Sequence, residues 1–158
     1  MQDHLMMTLV IAMTPIGELR ASIPFGIASD LHWISTLGIS IVGNLVPVPF
    51  ILLVLRILGK KISSLDNFLG SLMRWRHLKL ERDWGPKIHR FGFWGVVLIV
   101  GIPLPLTGAW TGSLAVWALG VPYRIGLPAI ALGVAFAGVI VTILTVAGTS
   151  VFQFLGAR

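Results

Sequence analysis

Two charged residues inside an otherwise apolar stretch are the first places where this sequence could do chemistry. Glu18 and Arg20 stand in Thr14-Pro15-Ile16-Gly17-Glu18-Leu19-Arg20, after the apolar run Leu5 to Ile16 and before a second, Ala21 to Ala28. A carboxylate in such a setting is costly and by default functional, as a proton carrier or a cation site. The structural alternatives are an ion pair with Arg20 or a side chain that snorkels to the outer interface. The planar fork of Arg20 suits an oxyanion, phosphate or carboxylate. Residues two apart on a helix do not share a face, so a direct pair would need irregular backbone, and separate roles are favoured. Asn44 lies in Gly43-Asn44-Leu45-Val46-Pro47-Val48-Pro49, beside prolines that leave backbone carbonyls free. It either locks helices together or lines a pathway. In Pro103-Leu104-Pro105-Leu106-Thr107-Gly108-Ala109-Trp110-Thr111-Gly112, Thr107 and Thr111 offer hydroxyls. Gly108 and Gly112 form a small-xxx-small pair that favours close helix approach. Trp110 is a substrate platform or core filling.

Other chemistries find little support. Cysteine is absent, which removes disulfides, thiolate metal sites and cysteine nucleophiles together. A membrane-embedded lipid phosphatase or transferase would need paired carboxylates, a metal cluster or a nucleophile with its base. The apolar part offers Glu18 alone, and Glu81 and Asp83 sit in a basic segment without a matching set. We therefore expect no catalytic residue, no metal and no cofactor. The net charge of +6 is concentrated between Lys60 and Arg90, where eight basic residues face three acidic ones. Flanked by apolar runs, that segment reads as a cytoplasmic loop obeying the positive-inside rule and facing anionic headgroups, rather than as a nucleic-acid surface. His77 and His89 fall within it and are read as solvent or headgroup contacts.

The elements that must position these residues follow from composition. Hydrophobic residues make up 56% of the 158 and charged ones 11%, with a mean hydropathy of +0.91. Segments 91–123 and 125–157 contain no Asp, Glu, Lys or Arg. Lipid is the solvent such a chain expects. The fold class read from this is an all-α integral membrane protein of one domain, 1–158. Repeat one, 5–58, comprises a re-entrant hairpin, 5–29, and a transmembrane helix, 33–58, kinked or broken at its prolines. A basic connector, 59–90, follows, with an amphipathic interfacial helix suggested by Leu65, Phe68, Leu69, Leu72 and Met73. Repeat two, 91–155, comprises a hairpin, 91–120, and a transmembrane helix, 125–154. The hairpin pieces are too short to span a bilayer, and free backbone at their turns needs cover from protein or a wet cavity. With the connector in the cytoplasm, counting crossings places both termini outside and inverts the second repeat relative to the first. Inverted repeats whose broken helices meet near the midplane are a transporter architecture, with substrate and ions at the tips. Half-helix N-termini after Gly17 and Gly108 would favour an anionic group there. Met1-Gln2-Asp3-His4 lacks the positive start of a secretory signal, so the N-terminal segment is expected in the mature protein.

The three stretches from Thr14, Gly43 and Pro103, with the connector's closing Lys87-Ile88-His89-Arg90-Phe91-Gly92, resemble the small multidrug-export family over nearly the whole chain. That family looks related to the DedA or VTT (SNARE-associated) superfamily of lipid-handling membrane proteins, which have paired re-entrant hairpins. The resemblance implies transport. DedA-type members carry functional arginines around the second hairpin, whereas no charge lies between Phe91 and Tyr123 here, leaving Glu18 and Arg20 to supply any proton coupling. The expected function is a transporter or flippase for an amphipathic, anionic or lipid-like substrate in the cytoplasmic membrane, coupled to protons through Glu18. Its partners are membrane lipids and that substrate, with no nucleic acid, and small size with glycine-rich helices suits a homo-oligomer. The alternative is a membrane-organisation or assembly protein that transports nothing. The expected pathway residues are Glu18, Arg20, Pro24, Asn44, Pro47, Pro103, Pro105, Thr107, Gly108, Trp110 and Thr111.

Overall fold

A computed structural model describes residues 2–63, 92–103 and 107–156, with the side chains of 59–63 and 151–156 left out of the description. The connector's amphipathic helix, His77, His89 and Pro105 lie outside the described residues. Everything described is helix or short turn, in the order α1 Gln2–Met13, α2 Glu18–Ala28, α3 Trp33–Leu45, α4 Pro47–Ser63, α5 Phe93–Gly101, α6 Ala109–Ala118 and α7 Tyr123–Gly156.

Local sequence explains where the helices stop. Between α1 and α2 the Thr14 hydroxyl donates to the Ile11 carbonyl at 2.7 Å and accepts from the Gly17 amide at 3.0 Å, tying the turn to itself. Pro47 and Pro49 fall in the first turn of α4, where amides have no partner within the helix, so they cost nothing there while preventing α3 from running on. Val46 is the single residue between the two helices. At the end of α6, Gly120 takes φ 67° and the Val121 amide reaches back to the Val116 carbonyl at 3.0 Å, a left-handed closure that suits glycine.

Helices α1, α2, α5 and α6 have 12, 11, 9 and 10 residues, well short of a bilayer crossing of about 20 residues. Among the described residues, two segments are long and apolar enough to cross, Trp33–Leu58 and Tyr123–Ser150. In packing, α1, α2 and α3 form one set, and α5 packs on α6 and α7. Helix α4 leaves its sequence neighbours and rests mainly on α6, while α7 touches both sets. The shared core is small and branched: Leu19 and Ile23 from α2, Val48 and Leu52 from α4, Val96 and Val100 from α5, Val116 from α6, and Ile130 and Val134 from α7. Backbones approach closely enough to demand glycine. A Cβ on Gly133 of α7 would sit 2.7 Å from the Cβ of Val100, and one on Gly43 of α3 would sit 2.9 Å from that of Ala12.

The outside is apolar too. Phe50 is 68% exposed, Leu144 64% and Met6 61%, scattered over three helices. A water-soluble domain presents a polar face opposite its core; helices apolar all round belong in hydrocarbon.

Candidate functional site

The turn after α1 faces the segment that leads into α6, and the polar groups of the two are joined across a gap of nearly ninety residues in sequence. Glu18 opens α2 with φ 43°, a left-handed backbone setting that costs a residue bearing a Cβ. Its side chain is 7% exposed. Oε1 accepts a hydrogen bond from the backbone amide of Trp110 at 3.3 Å. That amide belongs to the first turn of α6, whose leading N–H groups lack partners within the helix. A carboxylate from one helix pair therefore caps the positive end of a helix in the other, where helix dipole and free N–H both favour negative charge. Gly108 makes room for it, since a Cβ there would lie on top of the Glu18 carboxylate. The neighbouring Gly108 amide is satisfied locally, by the Thr111 hydroxyl at 2.8 Å.

Arg20 binds the same segment at another point. Its Nη2 donates to the Thr107 carbonyl and, at 3.0 Å, to the Thr107 hydroxyl. That hydroxyl donates in turn to the Ile102 carbonyl at 2.8 Å, fixing the end of α5. Trp110 closes the junction from the other side, its indole Nε1 donating to the Met13 carbonyl at 3.3 Å. Glu18 and Arg20 thus send their hydrogen bonds to different residues of the second segment.

Between these groups lies a cavity of about 10 Å³, room for roughly one water. Glu18, Arg20, Asn44, Pro103, Thr107 and Gly108 line it, with Val100 and residues of α7, among them Val134, Ala137 and Val141, as the apolar wall. Asn44 is 1% exposed, and neither its Oδ1 nor its Nδ2 has a hydrogen-bond partner. A buried amide left unpaired costs about 1–3 kcal/mol, so the position carries a polar group at a loss.

Of the residues expected at a pathway, Glu18, Arg20, Asn44, Pro103, Thr107 and Gly108 come together at this cavity, while Trp110 and Thr111 stand at its edge in the first turn of α6. Pro24 lies inside α2, where its missing amide withdraws the usual partner of the Arg20 carbonyl. Pro47 opens α4, and neither proline lines the cavity. Sequence reasoning passed over Met13 and Ile102, which act through backbone carbonyls and carry no side-chain signal. Thr14 was readable as a turn-former from Thr-Pro-x-Gly, but not as the residue that holds the Glu18 turn closed.

Residues 18–140 match the family described as "Putative small multi-drug export protein", and the chain belongs to that family. Membership and the two long apolar helices together give it a membrane location. Searches of curated proteins and of solved structures each gave no match.

Proposed function

Starting from membership of the small multi-drug export family, we propose that this protein is a membrane transporter or flippase for an amphipathic, anionic or lipid-like molecule. The two short helix pairs act as re-entrant hairpins in inverted repeats, and their tips part and rejoin as the site opens to one side and then the other. The single observation that carries the reading is the polar seam itself: Glu18 on the Trp110 amide and Arg20 on Thr107, charged groups set among a core mostly of valine, leucine, isoleucine and alanine. Buried charges are dear, and hydrogen bonds to backbone and a hydroxyl, unlike interlocked side chains, can be exchanged for a substrate or water at modest cost. In this reading Glu18 carries a proton, the basic connector faces the cytoplasm and recruits headgroups, both termini lie outside, and no reaction is catalysed. The kinship to DedA-type lipid-handling proteins and assembly as a homo-oligomer are part of the same proposal.

The test is translocation in reconstituted vesicles with headgroup-labelled phosphatidylglycerol, labelled phosphatidylcholine or a small amphipathic dye, with and without a pH gradient. Wild type should move at least one of them faster than protein-free vesicles, and Glu18→Gln should lose that movement while keeping its fold. Flux equal to the protein-free control for all three would sink the reading.

The tightness of the junction favours a second reading, because room for about one water is what a permanent joint also looks like. On that view the seam fastens a membrane-organisation or assembly protein. Glu18→Gln would then lower the melting temperature with no flux to lose.

A further inference from the structure

We propose that the Glu18 carboxylate is a tethered occupant of an oxyanion site, and that the phosphate ester of an anionic substrate binds by displacing it. The inference rests on the transport reading and names how its site recognises charge. Three donors converge on the junction. The Trp110 amide, at the N-terminus of a ten-residue helix, holds Glu18 Oε1 at 3.3 Å, and helix N-termini are ready-made anion sites. Arg20 spends Nη2 on neutral acceptors, the carbonyl and hydroxyl of Thr107, although its fork is built for an oxyanion. Asn44, 1% exposed, points an amide with both polar atoms unpartnered into the same cavity.

Space says the same. A side chain as small as a methyl at Gly108 would overlap the carboxylate, so the volume beside the amides is kept for oxygen atoms. With Glu18 in place about 10 Å³ remains, enough for a water and too little for a phosphate. The oxyanion and Glu18 therefore exclude one another. The left-handed backbone at Glu18, φ 43°, means the occupied state is held against local strain, which helps it yield.

Protonation provides the release, because a neutral carboxyl forfeits its attraction to Arg20 and to the helix end. Among the described residues, the charged group facing Glu18 is Arg20, on its own helix. Helix α1 offers the Met13 carbonyl, α3 Asn44, α5 Val100, the entry to α6 Gly108 and Trp110, and α7 Val134, Ala137 and Val141, none of them titratable. Proton uptake and anion binding are then linked, each favouring the other.

The full-length protein in uncharged micelles, titrated calorimetrically with dihexanoylphosphatidylglycerol, tests this. The lipid's phosphodiester keeps one negative charge between about pH 5.5 and about pH 8, so changes with pH belong to the protein. Dihexanoylglycerol, which has the same chains and no phosphate, serves as the control, and inorganic phosphate tells a free anion from a lipid headgroup as the source. Wild type should bind phosphatidylglycerol more tightly as the pH falls. Glu18→Gln should bind about tenfold or more tightly than wild type at neutral pH, since a neutral amide, like the protonated carboxyl, lacks the charge attraction that holds the side chain in the site, and should lose the pH dependence. Arg20→Gln and Asn44→Leu should weaken binding in either background. Equal binding of dihexanoylglycerol, or a Glu18→Gln protein no tighter than wild type, overturns the proposal. If Glu18→Gln does not fold, a wild-type affinity that stays flat with pH overturns it by itself. Vesicle flux without the tightening sinks this proposal and leaves transport standing; tightening without flux does the reverse.

Discussion

The two tips that meet at the centre of this protein are built from different materials. The first, Thr14 to Arg20, contributes side chains that carry charge, a left-handed backbone at Glu18 and a hydroxyl that fastens its own turn. The second, Ile102 to Thr111, contributes neutral groups: the Trp110 amide, the Thr107 carbonyl and hydroxyl, and the absence of a Cβ at Gly108. Each half of the chain presents a short helix pair before a long apolar segment, divided at Val46 in the first half and continuous in the second, and the halves are not interchangeable at the point of contact. One tip carries all the charge and the other is its receptor. Mutations should therefore act through side chains on the first tip and through shape and backbone on the second.

Gly108→Val is the strongest way to break that contrast. Its branched side chain would push into the Glu18 carboxylate, and overpacking of about 1–3 kcal/mol together with the lost cap should lower the melting temperature in micelles more than any other single change here. Shortening the partner sharpens the test. Glu18→Ala should recover part of the loss caused by Gly108→Ala, and a double-mutant cycle should give a coupling of about 0.5–3 kcal/mol; additive losses would mean the tips do not touch. Arg20→Met comes next, at about 1–3 kcal/mol, because it removes the charged donor shared by the Thr107 carbonyl and hydroxyl. Thr107→Val should cost less, about 1 kcal/mol, since the carbonyl that Arg20 holds remains. Parity between the two, measured by thermal unfolding, would contradict the division of roles. The smallest effect is expected at Ser22 and Ser40, whose buried hydroxyls have no partner. Ser22→Ala and Ser40→Ala should be neutral or raise stability by up to about 1 kcal/mol.

Much of this is legible in the sequence alone. The apolar composition announces helices in lipid, and Pro47 with Pro49 marks the interruption after α3. Glu18 and Arg20 stand out because charge in an apolar run is expensive. The preference of a half-helix N-terminus for an anion is also readable after Gly108, but not that the protein supplies the anion itself from ninety residues upstream. Long-range partners of backbone groups leave no trace in side-chain spacing, which is why the Met13 and Ile102 carbonyls were passed over. Gly108 illustrates the same limit: a glycine four before another glycine suggests helix packing, and nothing in that spacing distinguishes a helix neighbour from a carboxylate.

The interruption at Val46 has a mechanical meaning. Upstream of it the chain travels with α1 and α2; downstream it is seated on α6. The first half of the molecule thus lends a length of helix to the second. For the halves to part as proposed, the chain they share has to flex, and the start of α4 offers the least resistance, because Pro47 and Pro49 lack the amides that would hold it to α3. A drawbridge needs its pivot and its latch on separate timbers. In the proposed transport cycle the pivot is Pro47 and the latch the Glu18 cap, so a change that stiffens the first should slow flux without weakening the second.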